Sequence, residues 1–420
     1  MCDRSLSALS PETWPFNLDL IPQPVYLVGG AVRDALLGRR ADYLDLDFVL
    51  PTDAVKTART LANHYQAGFV LLDAERQIAR VVFPQATIDF AQQEGSSLET
   101  DLNRRDFTVN AIAYNPHTDE RIDPLNGYAD LQQGLLRMVS PANLQDDPLR
   151  LLRGYRQAAQ LGFVIELTTY AVIRQLAPLL SQVAAERVLT ELRYLLKIPQ
   201  GTPWIIAAVK DGLFSTWFPD GNVESRLSVL AAIDSAAETL GEQWYPLKAE
   251  LTRSLRDTIN TTGLGIAKLI NLLPPIPQAA EEQMMRLTFS RPEIRMVTTA
   301  LQYLPQLQQM SLAEVSVRSQ YFFFQQVGLV FPILVVLAVA SGTPIESIAP
   351  LINRYLNPED LVAHPTPLVT GNDLMRSLNL PAGKLVGQLL TEIQVARAEG
   401  KISTADAAIK LASQLLDTQL

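Results

Sequence analysis

Along the first third of the chain, short apolar runs recur between turn residues: VYLV from Val25, DLDFVL from Asp45, FVLLD from Phe69, ARVVF from Ala79, TIDFA from Thr87 and AIAYN from Ala111. β-Branched and aromatic residues fill these runs, and helix-like stretches such as AVRDALLG and AVKTARTLANHY fall between them, which predicts an α/β domain with a sheet of about five strands. After Pro141 the apolar spacing turns helical almost throughout, as in DPLRLLRGYRQAAQLGF and AAERVLTELRYLLK, with Pro and Gly punctuating successive helices. The pattern predicts an α+β protein: an α/β head over 1–140, a helical neck over 141–200, an all-α body over 201–360 and a helical tail over 361–420. Within the tail, Gly-containing turns between short helices mark a separate small module.

One stretch, Phe322 to Ala340, is apolar enough to consider as a membrane span. It contains Gln325, Gln326 and Pro332 and sits among segments of ordinary helical periodicity, so a buried core helix is the expectation. The start, MCDRSLSALSPETWPF, lacks the basic flank and continuous apolar core of a secretory signal, which makes a reducing cytoplasm the expected compartment.

Composition narrows the chemistry. The 420 residues are 48% hydrophobic and 19% charged, which excludes disorder as the dominant state. A single cysteine, Cys2, allows neither an intrachain disulfide nor a cysteine-rich zinc site, and the three histidines, His64, His117 and His364, are far apart in sequence. A catalytic metal would therefore be held mainly by oxygen, which favours magnesium over zinc. The net charge of -9 argues against a simple basic nucleic-acid coat while leaving room for a local basic cleft.

The richest stretch is VYLVGGAVRDALLGRRADYLDLDFVL. A strand runs into Gly29-Gly30 and a helix begins at Ala31. Such a glycine pair is either a tight turn or a place where backbone amides approach a phosphate, with Arg33 adding a charged contact. The sequence fits neither the P-loop nor the GxGxxG pattern. Asp45 and Asp47 flank Leu46 in a strand, so both carboxylates share one face while Leu44, Leu46 and Phe48 take the other. Two carboxylates side by side repel unless a cation or protons compensate, and placed after the glycine turn they read better as a metal site than as a solvated pair.

These residues carry a resemblance. GGAVRDALLGR followed by DLD is similar to the signature of the nucleotidyltransferase superfamily, in the branch of class II tRNA CCA-adding enzymes and bacterial poly(A) polymerases. LETDLNRRDFTVNAIAYN resembles the RRDFTxNA motif, DPLNGYADLQQGLLR the GxxDLxxxxLR motif, DDPLRLLRGYRQAAQLGF the EDPxRxLRxxRFxxxxGF helix, and ERVLTEL the ERxxxEL segment, in the expected order. TGNDLMRSLNLPAGKLVGQLL, from Thr370, resembles a less diagnostic segment near the end of family members.

The resemblance implies phosphoryl transfer to an RNA 3′ end. Asp45 and Asp47 would hold two magnesium ions, and Asp89 stands where a third carboxylate is expected, its alternative being a solvated strand acid. Gly29, Gly30, Arg33 and Arg105 would face the triphosphate and Asp106 the ribose 2′-hydroxyl. On the helix from Asp147, the carboxylate of Asp147 and the fork of Arg150 can match a Watson-Crick edge. Arg153 and Arg156 continue that row at spacing three, with Arg156 winding away from Asp147. Without the motifs upstream this row would read as a surface charge ladder.

Three departures from the pattern stand out: Asp146 where Glu is usual, Gln157 where Phe is usual, which predicts looser packing behind the helix, and Asn126 where a glycine is frequent. The resemblance leaves open full CCA addition, CC or A addition alone, and poly(A) addition, with tRNA, CTP and ATP as the implied partners. In full CCA enzymes a flexible loop lies between the aspartate pair and RRDFT. Here only a brief DAERQ turn interrupts FVLLDAERQIARVVF, which favours a CC-adding specialist; the expectation is a tRNA 3′-end nucleotidyltransferase of the CCA type, with restriction to CC as a contender and poly(A) addition as the alternative. Two other readings, an RNA-binding scaffold with an inactive head and a signalling nucleotidyltransferase, conflict with the intact Asp45, Asp47, Arg105, Asp147 and Arg150 and with the long helical remainder.

Overall fold

A computed structural model describes residues 7–39, 42–219, 223–256, 259–310 and 315–418; Cys2 lies outside the described residues. The chain forms two compact units, Met1–Glu191 with Ala207–Thr216, and Leu192–Ile206 with Trp217–Leu420.

The first unit is built on strands β1 (Tyr26–Val28), β2 (Leu44–Leu50), β3 (Gly68–Asp73), β4 (Ile78–Phe83), β5 (Ala86–Gln92), β6 (Ala113–Asn115) and β7 (Glu120–Ile122). They form one seven-stranded sheet in the order β3-β4-β5-β2-β1-β6-β7, not the five strands expected. The short edge strand β7, Glu-Arg-Ile, is mostly exposed and lacks the apolar alternation that marks the others. β2 is central, running parallel to β5 and antiparallel to β1, and its register sets Leu46 beside Ile88, Asp47 beside Asp89 and Phe48 beside Phe90. On one face the rings of Phe48 and Phe90 stack at 5.5 Å, and Trp14 covers Phe48 at 5.3 Å. Helix α2 (Ala54–Tyr65) closes this face over β4 and β5. The period-2 alternation of β2 therefore sends its apolar set into the core and leaves Asp45 and Asp47 together on the other face.

Helix α1 (Gly30–Leu36) follows β1 directly; α3 (Leu98–Asn103) leads into the RRDFT segment, and α4 (Gly127–Gln133) follows β7. A two-residue strand β8 (Leu135–Leu136) and its parallel partner β9 (Val164–Ile165) bracket α5 (Pro141–Asp146) and α6 (Leu149–Leu161). Asp147 is not helical, contrary to expectation. It adopts an extended conformation, φ −130° and ψ 90°, at the joint between α5 and α6, because a residue before proline is steered out of the helical region and Pro148 follows. Along α6 every side chain from Leu149 to Ala159 is buried except the arginine row of Arg150, Arg153 and Arg156. Helices α7 (Leu167–Leu176), α8 (Ala185–Lys197) and α9 (Gly201–Lys210) follow.

The second unit is helical: α10 (Val223–Gln243), α11 (Tyr245–Thr252), α12 (Gly263–Ile270), α13 (Pro277–Arg286), α14 (Arg291–Met310), α15 (Val317–Val327), α16 (Phe331–Ala340) and α17 (Ile345–Leu356). A hairpin of β10 (Ser254–Arg256) and β11 (Ile259–Thr262) interrupts the all-α pattern expected there. The apolar stretch considered as a span is broken at Gly328, φ +45°, into α15 and α16. The whole helical stretch is apolar enough to cross a membrane, but 67% of that window is buried inside the protein, and Phe331 to Ala338 are all core residues. Helices α18 (Gly371–Leu378), α19 (Lys384–Ala398) and α20 (Ala405–Thr418) enclose a small apolar core of their own, centred on Leu374, Leu389, Ile393 and Ala412.

Candidate active site

Asp45 and Asp47 open into a cavity of about 460 Å³ in the first unit. Gly29 forms its floor with φ +75°, a conformation that favours glycine, and a Cβ there would lie 3.4 Å from Arg105 Nη1 and 3.6 Å from Asp47 Oδ2. The glycine turn thus lets backbone, carboxylate and guanidinium converge. Burial, followed by the charges of Asp45 and Asp89, pushes the Asp47 carboxyl up to about 6, against the pull of Arg105 and Arg80. Asp45 is raised as well, by burial first and then by Asp89.

Much of the lining is basic. Arg33, Arg105, Arg153 and Arg156 line the cavity with Gly30, Asp106, Asn110 and Gln157. Arg105 is held by Asp101 at 3.1 Å and Arg156 by Glu191. The Nε–H groups of Arg105 and Arg153 are buried with no acceptor among the described residues. Four of these lining residues form a polar chain. Arg33 Nη1 donates to Asn110 Oδ1 (2.7 Å), and Asn110 Nδ2 donates to Asp106 Oδ1 and Gln157 Oε1 (both 2.9 Å). Burial pushes Asp106 up, but Arg153, Asn110 and the Phe107 N–H together outweigh it and hold the carboxyl below its usual range.

Gly29, Gly30, Arg33, Asp45, Asp47, Arg105, Asp106, Arg153 and Arg156 are thus gathered around one cavity. Asp89, Asp147 and Arg150 are not in its lining. Asp89 sits beside Asp47 across the β2–β5 register and takes a bidentate pair from Arg80, at 2.7 and 2.8 Å. Asp147 accepts from Arg187 at 3.0 Å, and Arg150 Nη1 is anchored on the carbonyls of Arg104 and Asn143 at 2.8 and 3.1 Å.

The departures also find their places. Gln157 does not loosen the helix: it is 2% exposed, and its Oε1 is engaged in the polar chain. Asn126 sits at φ 56°, ψ 32°, the left-handed region that asparagine tolerates best after glycine. Asp146 is the exposed last residue of α5. Asn110, missed as a site residue, stood in view within RRDFTVNA, and Glu191, which holds Arg156, within the ERxxxEL segment; Asp101 and Arg80, which hold the site's other charges, carried no local signal.

The resemblance carried by the sequence implies a metal at Asp45 and Asp47. Among the described residues no group of three metal-ligating side chains gathers, and Asp89 is already paired with Arg80, so the donors open to a cation are Asp45 and Asp47. Two adjacent carboxylates that repel each other, one exposed and one half-buried, are the donor set a hard cation relieves, and the residues present fit one.

A mixed sheet that sets an aspartate pair against a glycine turn and an arginine-rich lining has the constitution of a nucleotidyltransferase. Residues 25–137 match the poly A polymerase head domain, 162–224 the probable RNA and SrmB-binding site of polymerase A, and 258–412 the putative domain 2 of tRNA nucleotidyltransferase. The chain is 48% identical over 417 residues, 99% of both chains, to the CC-adding tRNA nucleotidyltransferase of Synechocystis sp.. It is 31% identical over 403 residues, 94% of this chain and 92% of the relative, to the CC-adding tRNA nucleotidyltransferase of Geobacter sulfurreducens. A CCA-adding enzyme solved with CTP superposes with a TM-score of 0.73 at 25% identity, covering 94% of this chain and 91% of the other. The chain belongs to the class II CCA-adding tRNA nucleotidyltransferase family.

Proposed function

We propose that this enzyme adds two cytidines, and no adenosine, to the 3′ end of tRNA in the cytoplasm, using CTP and releasing pyrophosphate. The observation that carries the restriction to CC is the β3–β4 connection. It consists of Ala74 to Gln77, fastened by Asp73 Oδ1 accepting from the N–H groups of Glu75 and Arg76 at 2.9 and 3.0 Å. A turn this short and pinned leaves no length for the flexible loop with which a full CCA enzyme adapts its pocket to adenine. The full-length match to CC-adding relatives points the same way.

In this reading Asp45 and Asp47 hold magnesium, with Asp89 as the third carboxylate behind them, kept in register by Arg80. Magnesium held there would supply a Lewis acid for activating the RNA 3′-hydroxyl and a counter-charge for the triphosphate and departing pyrophosphate. The chain's own groups do the rest. Gly29 and Gly30 let the backbone close on the triphosphate, and Arg33, Arg105, Arg153 and Arg156 supply its counter-charge. Asp106 accepts from the ribose 2′-hydroxyl, and Asp147 and Arg150, which lie outside the cavity lining at the start of α6, read the base on release from Arg187 and from the Arg104 and Asn143 carbonyls.

The test is direct. Purified protein is given tRNA lacking its CCA end with CTP alone, ATP alone, or both. Two added cytidines and a stop, with ATP present, is the expected result. A following adenosine would overturn the restriction to CC, and long adenosine tails on generic RNA would establish a poly(A) polymerase.

A further inference from the structure

The polar chain lining the cavity has a direction that its end groups impose. A guanidinium can only donate, so the oxygen of Asn110 must face Arg33 Nη1 (2.7 Å), and its Nδ2 is left to donate to Asp106 Oδ1 and Gln157 Oε1 (2.9 Å each). That fixes the amide of Gln157 in turn. Its oxygen is taken by Asn110, and its Nε2 must point toward Asp106 Oδ2, across a long 3.4 Å.

The two oxygens of Asp106 are unequally used. Oδ1 takes two short bonds, from Phe107 N–H (2.8 Å) and Asn110, whereas Oδ2 has only the distant approaches of Gln157 and of Arg153 (3.3 Å). One corner of the cavity therefore sets an under-used donor, Gln157 Nε2, beside an under-used acceptor, Asp106 Oδ2, and both side chains line it. Among the groups of a nucleoside triphosphate, phosphate oxygens and base carbonyls only accept and amino groups only donate. A ribose hydroxyl does both from a single oxygen.

We propose that Gln157 is a specificity-determining residue: its Nε2–H donates a hydrogen bond to the 2′-hydroxyl of the incoming CTP while Asp106 Oδ2 accepts a hydrogen bond from that hydroxyl, so that the pair selects ribonucleotides. This rests on the assignment of Asp106 to the ribose. The fixed orientation of Gln157 matters, because a side chain free to flip its amide would present an oxygen, and two acceptors cannot both be satisfied by one hydroxyl.

The experiment compares kcat/KM for CTP, 2′-deoxy-CTP and 3′-deoxy-CTP on tRNA lacking its CCA end, with equilibrium binding of the three nucleotides alongside. Melting temperatures confirm folding. Gln157→Leu, with Gln157→Met as a second substitution of similar volume, is expected to lower the preference for CTP over 2′-deoxy-CTP about tenfold, the worth of one buried hydrogen bond, with little change for 3′-deoxy-CTP relative to CTP. Asp106→Asn is expected to lower the same preference. If Asp106→Asn loses the preference while both Gln157 variants keep it, the role of Gln157 is overturned and the reading of Asp106 stands. If neither residue affects it, both fall. Equal losses for CTP and 2′-deoxy-CTP in the Gln157 variants would reduce Gln157 to packing and overturn the proposal.

Discussion

At the scale of single residues, the site is built from charges held where they are uncomfortable. Asp47 is pushed up to about 6 by burial and by its neighbours Asp45 and Asp89, so at neutral pH the folded chain holds a carboxylate that its surroundings disfavour. That strain is what a cation relieves, and it separates function from stability in a measurable way. Asp47→Asn is expected to cut nucleotide incorporation by on the order of 10²–10³-fold or more. In chelator-treated protein the same variant should melt higher than the parent at pH 7, because it removes a repelled, half-buried charge while keeping the side chain's shape. Calorimetry with and without chelator checks it; a lower melting temperature in the metal-free variant would mean that the carboxylate is stabilised by the fold rather than strained by it.

At the scale of elements, what could be read in advance followed from periodicity. The alternation of β2 placed Leu46 and Phe48 in the core and Asp45 and Asp47 on the opposite face, because two residues is the strand repeat and nothing in the fold overrides it. The edge strand β7 escaped because an exposed, polar Glu-Arg-Ile has no face to announce. The true start of α6 was signalled by Pro148, whose effect on Asp147 is local. The chain from Arg33 through Asn110 to Gln157 could not be read so, since it joins residues brought together only by folding. Asn126 and Gly127 show both kinds of information side by side. Asn126 satisfies a left-handed position, a local requirement, while Gly127 is required by a distant neighbour: a Cβ there would sit 2.1 Å from the Thr108 carbonyl oxygen, which is backbone and cannot yield. Gly127→Ala is therefore expected to cost about 3 kcal/mol or more, in the range of the severe substitutions, whereas Asn126→Gly should change stability by less than about 1 kcal/mol. Urea unfolding of the two variants measures the contrast, and equal effects would show that the α4 start relaxes away from Thr108.

At the scale of the whole molecule, the net charge of -9 no longer argues against an RNA substrate. Part of the acidity belongs to Asp45, Asp47 and Asp89, and the arginines that matter are placed around one cavity rather than spread over the surface. Selectivity from shape and terminal nucleotides, with modest nonspecific affinity, follows. Every residue of that cavity lies in the first compact unit, so the buried charges of the second serve its own cohesion. Glu293, fully buried on α14, takes hydrogen bonds from Arg193, from Thr261 on β11 at 2.7 Å and from Ser290, tying three segments together. Burial raises its carboxyl, but these donors outweigh burial and hold it below the ordinary value of 4.5. A carboxylate with a lowered folded pKa contributes stability that is fully present above about 4.5 and is lost as the pH falls through the folded value. Glu293→Gln should thus destabilise by about 3 kcal/mol at pH 7, where it leaves Arg193 without its partner. The difference from the parent should narrow as the pH drops below 4.5, and KM for CTP should stay at the parent's value where the variant is folded. Denaturant unfolding across that pH range, beside steady-state kinetics at pH 7, reads both. A gap in stability that stays constant with pH would show that Glu293 acts through packing and not through its charge.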